Sequence, residues 1–268
     1  MPPKRVRDWI SYMILGGQLE RVSAQAQGPR FTIKGAVAME MRLPEKARAT
    51  KDIDLVVDDP EDGDLPSALR AALAGTYQGF MFRVKGEPHQ MPNDSVRVDV
   101  VLEYRGRGWG TIQVDLSRRE GDRTEVELLE PLRLEFFGLD TPDALPCLSL
   151  RYQIAQKIHA MTQPPIDDEA PNERFRDLVY LLLMKELTTD LSGVRAASVE
   201  VFALRATHEW PPLLDPPTFW EEPFARLAEE VDLPVRRLED AVREVQAFID
   251  AIERSVARVR FQDISSIV

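Results

Sequence analysis

With 268 residues, 44% of them hydrophobic, the chain is long enough to build one large domain or two small ones around a continuous core, which excludes wholesale disorder. A net charge of −11 excludes a protein that coats nucleic acid non-specifically, because that binding relies on clustered Lys and Arg. One cysteine, Cys147, and three histidines exclude an internal disulfide, a zinc–cysteine site and a His-rich metal site.

In chain order, the first element spans Val6 to about Ala26. Trp9, Ile10, Met13, Ile14, Leu19 and Val22 recur there at mostly helical spacing, and Gly16-Gly17 marks a place for a break. Phe31-Thr32-Ile33 alternates as a short strand and passes through Lys34-Gly35 into a second helix, Ala36 to Arg42. Asp52 to Val57 is a strand ended by Asp58-Asp59-Pro60, and Leu65 to Leu73 follows with helical spacing. Period-two alternation predicts strands over Phe80 to Lys85, Val96 to Glu103 and Thr111 to Leu116, with a less regular fourth over Val126 to Leu134. From Ser149 the pattern is helical: Ser149 to Thr162, Arg174 to Leu187, Ser198 to Glu209, Thr218 to Glu230 and Pro234 to Val256. The expected fold class is α+β, a mixed sheet with flanking helices over residues 1–145 and an all-α domain over 146–268. The boundary falls in the Pro-punctuated stretch from Leu139 to Ser149. No run approaches the roughly 18 apolar residues of a membrane span, and Met1-Pro2-Pro3-Lys4-Arg5 leads into an amphipathic segment, so a cytoplasmic location is expected.

Alternate side chains of a strand share a face, so Asp52 and Asp54 point the same way with Cα atoms about 6.5 to 7 Å apart. Two carboxylates held together repel unless a cation lies between them, and hard divalent ions such as Mg²⁺ prefer carboxylate oxygens together with substrate phosphates. The other reading is a strand end fraying into the acidic loop of Asp58, Asp59, Glu61 and Asp62. Lys34-Gly35, a turn between strand and helix, either offers backbone N–H groups to a phosphate or is an ordinary connection. A third carboxylate comes either from Asp115, on the polar side of Thr111 to Leu116, or from Asp99 in Val96 to Glu103, unless both are solvated strand residues. Any nucleic-acid contact needs a local basic patch, for which Arg42 to Arg48, Arg105 with Arg107, and Arg118 with Arg119 are candidates.

In the helical half, Leu150, Ile154, Ile158 and Met161 form a core-facing stripe that encloses Lys157, and Asp177 lies in a segment apolar nearly all round. Burying an unpaired charge is costly, so both require partners, either each other or a ligand. Arg174 and Arg176 stand in the first turn of their helix, where the dipole disfavours cations, so they either face a phosphate or form a solvated edge.

Taken together, Phe31-Thr32-Ile33-Lys34-Gly35-Ala36, Arg48-Ala49-Thr50-Lys51-Asp52-Ile53-Asp54-Leu55, Tyr152 to Ala160 and Arg174-Phe175-Arg176-Asp177-Leu178 resemble the AbiEii toxin family of nucleotidyltransferases, which includes the mycobacterial MenT toxins. The resemblance implies a DNA polymerase β-like nucleotidyltransferase core with a helical C-terminal domain. It implies that Asp52, Asp54 and Asp115 bind Mg²⁺, that Lys157 contacts NTP phosphates, and that Asp177 supports the site. Lys34, Gly35, Arg48, Thr50 and Arg176 are then expected on the nucleotide, and Asp52, Asp54 and Lys157 are expected to converge. The implied reaction transfers NMP from an NTP to the 3′ end of tRNA, as the toxin of a toxin–antitoxin pair with a cognate antitoxin. Other readings are transfer to a protein or small molecule, or a non-catalytic nucleotide-binding relative. Two positions depart from the family pattern: Ala36 stands where a second Gly or Ser is usual, and Tyr180 replaces a second Asp.

Overall fold

Alternation of apolar and polar residues gives each strand two unlike faces, and the N-terminal half is built by putting all the apolar ones on the same side. The computed structural model describes residues 3–25, 30–44, 50–58, 63–91, 95–121, 125–164 and 172–255. The chain divides into two compact units, Met1–Leu148 and Ser149–Val268.

In the first unit eight strands form a mixed sheet. They are β1 (Arg30–Lys34), β2 (Asp52–Asp58), β3 (Thr76–Tyr77), β4 (Phe80–Gln90), β5 (Val96–Tyr104), β6 (Arg107–Arg118), β7 (Val126–Leu129) and β8 (Leu145–Leu148), in the order β3-β4-β5-β6-β2-β1-β8-β7. The β2/β6 and β1/β8 pairs are parallel and the others antiparallel. Ile33, Ile53, Leu55, Val98, Val100, Ile112, Val114 and Leu116 line the apolar face, all 3% exposed or less. They share a core with helices α1 (Pro3–Gln25) and α3 (Leu65–Ala72), while α2 (Gly35–Arg42) follows β1 directly.

Helix α1 runs unbroken through Gly16-Gly17. A Cβ on Gly17 would meet the Tyr77 hydroxyl at 2.7 Å and Pro142 at 2.9 Å, and one on Gly16 would meet Leu145 at 3.0 Å. The glycines therefore let the helix seat closely on its neighbours. The strand expected over 126–134 stops at Leu129, and Leu134 is buried at the start of a short 3-10 turn, Glu135–Phe137. The Pro-punctuated stretch expected to hold the boundary contains β8, which pairs with both β1 and β7. Cys147 on β8 is free and buried.

The second unit is helical, with α4 (Leu150–Thr162), α5 (Phe175–Leu187), α6 (Leu191–Arg205), α7 (Glu221–Glu230) and α8 (Leu238–Arg254). Helix α5 packs against α4, α7 and α8, which is why Leu178 to Met184 is apolar all round. Helix α6 starts seven residues before the expected Ser198, because the Asp190 carboxylate accepts from Gly193 N at 2.9 Å and caps it. It ends at Ala206, whose φ is +49°. No helix among the described residues is long and apolar enough to cross a membrane.

Phe80 is fully buried against the rings of Tyr104 and Trp109, at centroid distances of 4.7 and 5.2 Å. Phe80→Ala is expected to destabilise the protein by about 3–5 kcal/mol, and Phe80→Leu by clearly less, in urea denaturation followed by tryptophan fluorescence.

Candidate active site

The opposite face of the sheet is polar, and its charges concentrate where β1, β2, β6 and β5 run side by side. Strand β2 is hydrogen-bonded on both sides, so Asp52 and Asp54 stand in a central strand and not at a frayed end. Asp54 lies opposite Lys34 on one side and Asp115 on the other. Asp52 lies opposite Gln113, and Asp99 is one strand farther out, also opposite Gln113. Adjacent strands are about 5 Å apart, so Asp115 is the third carboxylate of the group and Asp99 its more distant neighbour.

Arg97 on β5, a residue the sequence reading passed over, compensates this charge. Its Nε and Nη2 each donate to an Asp115 oxygen at 2.7 Å, and Nη2 lies 3.6 Å from Asp52 Oδ2. Hydrogen bonding to Asp115, then the negative charges of Asp115, Asp52 and Asp54, raise the guanidinium pKa against the opposing effect of desolvation. Arg97 is a permanent cation at this position.

Local contacts fix the rest. The Thr50 hydroxyl donates to Asp52 Oδ1 at 2.5 Å, and the Tyr12 hydroxyl of α1 donates to the Thr50 carbonyl at 3.2 Å. Burial, followed by the charges of Asp8, Asp52 and Glu40, pushes the Tyr12 phenol up, so it stays a donor. Lys34 Nζ donates to Ser117 Oγ at 2.8 Å. Gly35 has φ +66°, and a Cβ there would overlap the Asp54 carboxylate, coming within 2.9 Å of its Cγ. Lys34, at the N-cap of α2, makes no side-chain cap hydrogen bond to the helix. Arg48 lies outside the described residues, as do Asp59, Glu61 and Asp62.

In the helical unit, Lys157 Nζ donates to Asp177 Oδ1 at 2.6 Å, and Arg174 Nη1 lies 3.7 Å from Asp177 Oδ2. The Lys157 ammonium also sits 4.6 Å from the centroid of the Tyr180 ring. Tyr180 therefore supports the lysine as a cation–π partner. Arg176 is exposed, its guanidinium over the Phe175 ring.

A metal fits the donor chemistry of the first unit, since Asp52, Asp54 and Asp115 offer only hard oxygens and a guanidinium already stands in as their counter-cation. Among the described residues no group of three or more His, Cys, Asp or Glu is arranged to hold a metal ion.

Acidic pairs beside a helix N-terminus occur on many folds, and the family is decided by the whole chain. The model of the nucleotidyl transferase AbiEii toxin, of the type IV toxin–antitoxin system, matches residues 18–264. The chain belongs to the AbiEii nucleotidyltransferase toxin family. The chain is similar in fold to MenT4, a nucleotidyltransferase toxin from Mycobacterium tuberculosis H37Rv, with a TM-score of 0.53 and 18% identity over 92% of each chain. An antigenic nucleotidyltransferase-like protein from Paracoccidioides brasiliensis overlays more loosely, with a TM-score of 0.45 and 13% identity over 74% of this chain and 89% of that one. No curated protein matches the chain by sequence.

Two outcomes follow from the geometry. Gly35→Ala, which strains the turn and displaces Asp54, is expected to lower nucleotidyl transfer by about a hundredfold while the thermal midpoint stays within a few degrees. Lys157→Met leaves Asp177 buried without its nearest cation and is expected to cost about 3 kcal/mol in urea denaturation. The double variant Lys157→Met/Asp177→Leu recovers most of that loss.

Proposed function

We propose that this nucleotidyltransferase transfers NMP from an NTP to the 3′ end of tRNA with Mg²⁺, as a toxin that blocks translation and is countered by a cognate antitoxin. The observation that carries this reading is the placement of Asp52, Asp54 and Asp115 on one sheet face, directly beside the Gly35 turn that opens α2. NTP and tRNA are cytoplasmic, so the protein acts there.

Asp52, Asp54 and Asp115 would hold Mg²⁺, which when bound neutralises charge on the triphosphate and on the departing pyrophosphate. The chain's own groups do the positioning. The first amides of α2 at Gly35 bind phosphate oxygens, where the helix dipole favours negative charge. Thr50 fixes the rotamer of Asp52 through its hydroxyl, and Arg97 fixes Asp115 through two parallel hydrogen bonds. Lys34 anchors the end of β1 to Ser117, which keeps the turn beside Asp54. To Arg48, Lys157 and Arg176 we assign charge complementarity toward the triphosphate, with Asp177 and Tyr180 holding the Lys157 ammonium in place. In the transfer, the acceptor hydroxyl oxygen bonds to the α-phosphorus as the bond to the pyrophosphate oxygen breaks. Pyrophosphate leaves with the electron pair, and the hydroxyl proton passes to water.

Purified protein incubated with Mg²⁺, each of four α-labelled NTPs and total tRNA is expected to label the tRNA with a preferred nucleotide. Asp54→Ala is expected to lower that labelling on the order of 10²- to 10³-fold, and chelation of the metal to abolish it. Intact tRNA left unlabelled by all four NTPs would overturn the tRNA acceptor, and label on a protein or small molecule in the same reaction would replace it.

A further inference from the structure

Beyond Asp115 the polar face continues across β6, β5 and β4. Gln113 is paired with Asp99, Asp99 with Lys85, and Arg97 with His89. Between Lys85 and His89 the β4 ladder is interrupted, and Gly86 takes φ +73° with open space where a Cβ would stand. A pocket of about 310 Å³ opens there, with Lys85, His89 and Arg97 against Glu87 and Asp99, and Gln113 in its wall. Clefts that hold small ligands start at about 300 Å³, so this one suits a single nucleotide.

Its full charges balance, Lys85 and Arg97 against Glu87 and Asp99, whereas acidic residues outnumber basic ones in the chain as a whole. Most of the basic residues that the sequence suggested for a nucleic-acid contact are engaged elsewhere. Arg42 pairs with Glu127, Arg119 with Asp58, Arg118 donates to the Gly63 carbonyl, and Arg105 lies over the Tyr104 ring. Lys85 and His89, by contrast, are exposed and their side chains make no ion pair or hydrogen bond among the described residues, and Arg83, two residues before Lys85 on the same face of β4, extends the basic edge.

We propose that this pocket receives the 3′-terminal nucleotide of the RNA acceptor, an inference that rests on reading the carboxylates as a nucleotidyl-transfer centre. Displacement at the α-phosphorus is in line, so the acceptor hydroxyl must approach from the side opposite the departing pyrophosphate. The Gly35 turn, the phosphate end of the site, flanks the carboxylates on the β1 side, and the pocket flanks them on the β5 and β4 side. Lys85 and His89 lie at its edge for the phosphodiester, and the Gln113 amide, both donor and acceptor, is suited to a base edge. Arg97 is shared, lining the pocket with the same side chain that holds Asp115.

The full-length protein would be titrated into a 5′-fluorescein single-stranded RNA hexamer at several salt concentrations, and separately into a ribose-labelled fluorescent NTP. Lys85→Glu is expected to weaken RNA binding about tenfold and to lower the log–log salt slope by about 1, with NTP affinity within about twofold of wild type. Gln113→Ala, at an exposed position, is expected to weaken RNA binding without changing the salt slope. In the transfer assay both raise KM for tRNA and leave kcat and the KM for NTP in place. Unchanged RNA affinity in both variants, while the wild type still labels tRNA, would overturn the pocket assignment and leave the proposed function standing. Loss of NTP affinity instead would give the pocket to the nucleotide donor, and label on a protein acceptor with no RNA binding would also overturn it. Absence of any labelling by the wild type is the separate failure of the transfer reading.

Discussion

Three carboxylates on one sheet face, two on the same strand and the third directly across from one of them, repel unless a cation lies among them. Much of the first unit is arranged around meeting that demand. Arg97 meets it from a neighbouring strand, with two hydrogen bonds to Asp115 and a longer contact to Asp52. A guanidinium suits the task better than an ammonium, because its fixed fork matches both oxygens of a carboxylate and it does not lose its proton near neutrality. The arrangement holds only if β5 and β6 keep their register, which ties the electrostatics of the site to the hairpin that carries them.

The same strands bury their other face. Ile53, Leu55, Val98, Val114 and Leu116 alternate with the charged positions, so each residue that fixes the core also fixes the phase of a site residue next to it. A slip of one residue in β2 would exchange Asp54 for Ile53 on the polar side and place a carboxylate in the core. In the helical unit the buried Lys157–Asp177 pair carries a comparable constraint, with the Tyr180 ring taking up part of the ammonium charge that a second carboxylate would otherwise meet.

What the sequence made legible was local. The spacing of Asp52 and Asp54, the apolar alternation of β2, β5 and β6, and the buried stripe around Lys157 depend on residues a few positions apart, where strand and helix periods act directly. Arg97 depends on something else. The turn at Arg105-Gly106 sets Tyr104 opposite Arg107, and counting back from it without interruption would place Arg97 against Val114, facing the core. An irregularity at Leu102/Glu103 shifts the register by one and brings Arg97 to Asp115. No periodicity in β5 alone announces that shift. Strand β8 was hidden for a similar reason, being four residues with a proline, defined by its neighbours more than by its own pattern. The role of Tyr180 likewise needed coordinates, because a tyrosine in an apolar helix reads as core until the ammonium beside it is seen.

The two glycines of α1 reach farther than their own contacts. Because Gly17 admits Tyr77 and Pro142 and Gly16 admits Leu145, the helix can seat in one rotational setting against its neighbours. Tyr12 lies on that helix, five residues before Gly17, and its hydroxyl reaches the carbonyl of Thr50, whose side chain holds Asp52. The helix thus works as a ruler, passing the position of a tightly packed notch to a carboxylate 35 positions beyond Gly17 in the chain. One residue inserted between Tyr12 and Gly16 would turn the phenol by about 100° around the helix axis. The acidic strand would then lose its brace although every residue of the site was still present.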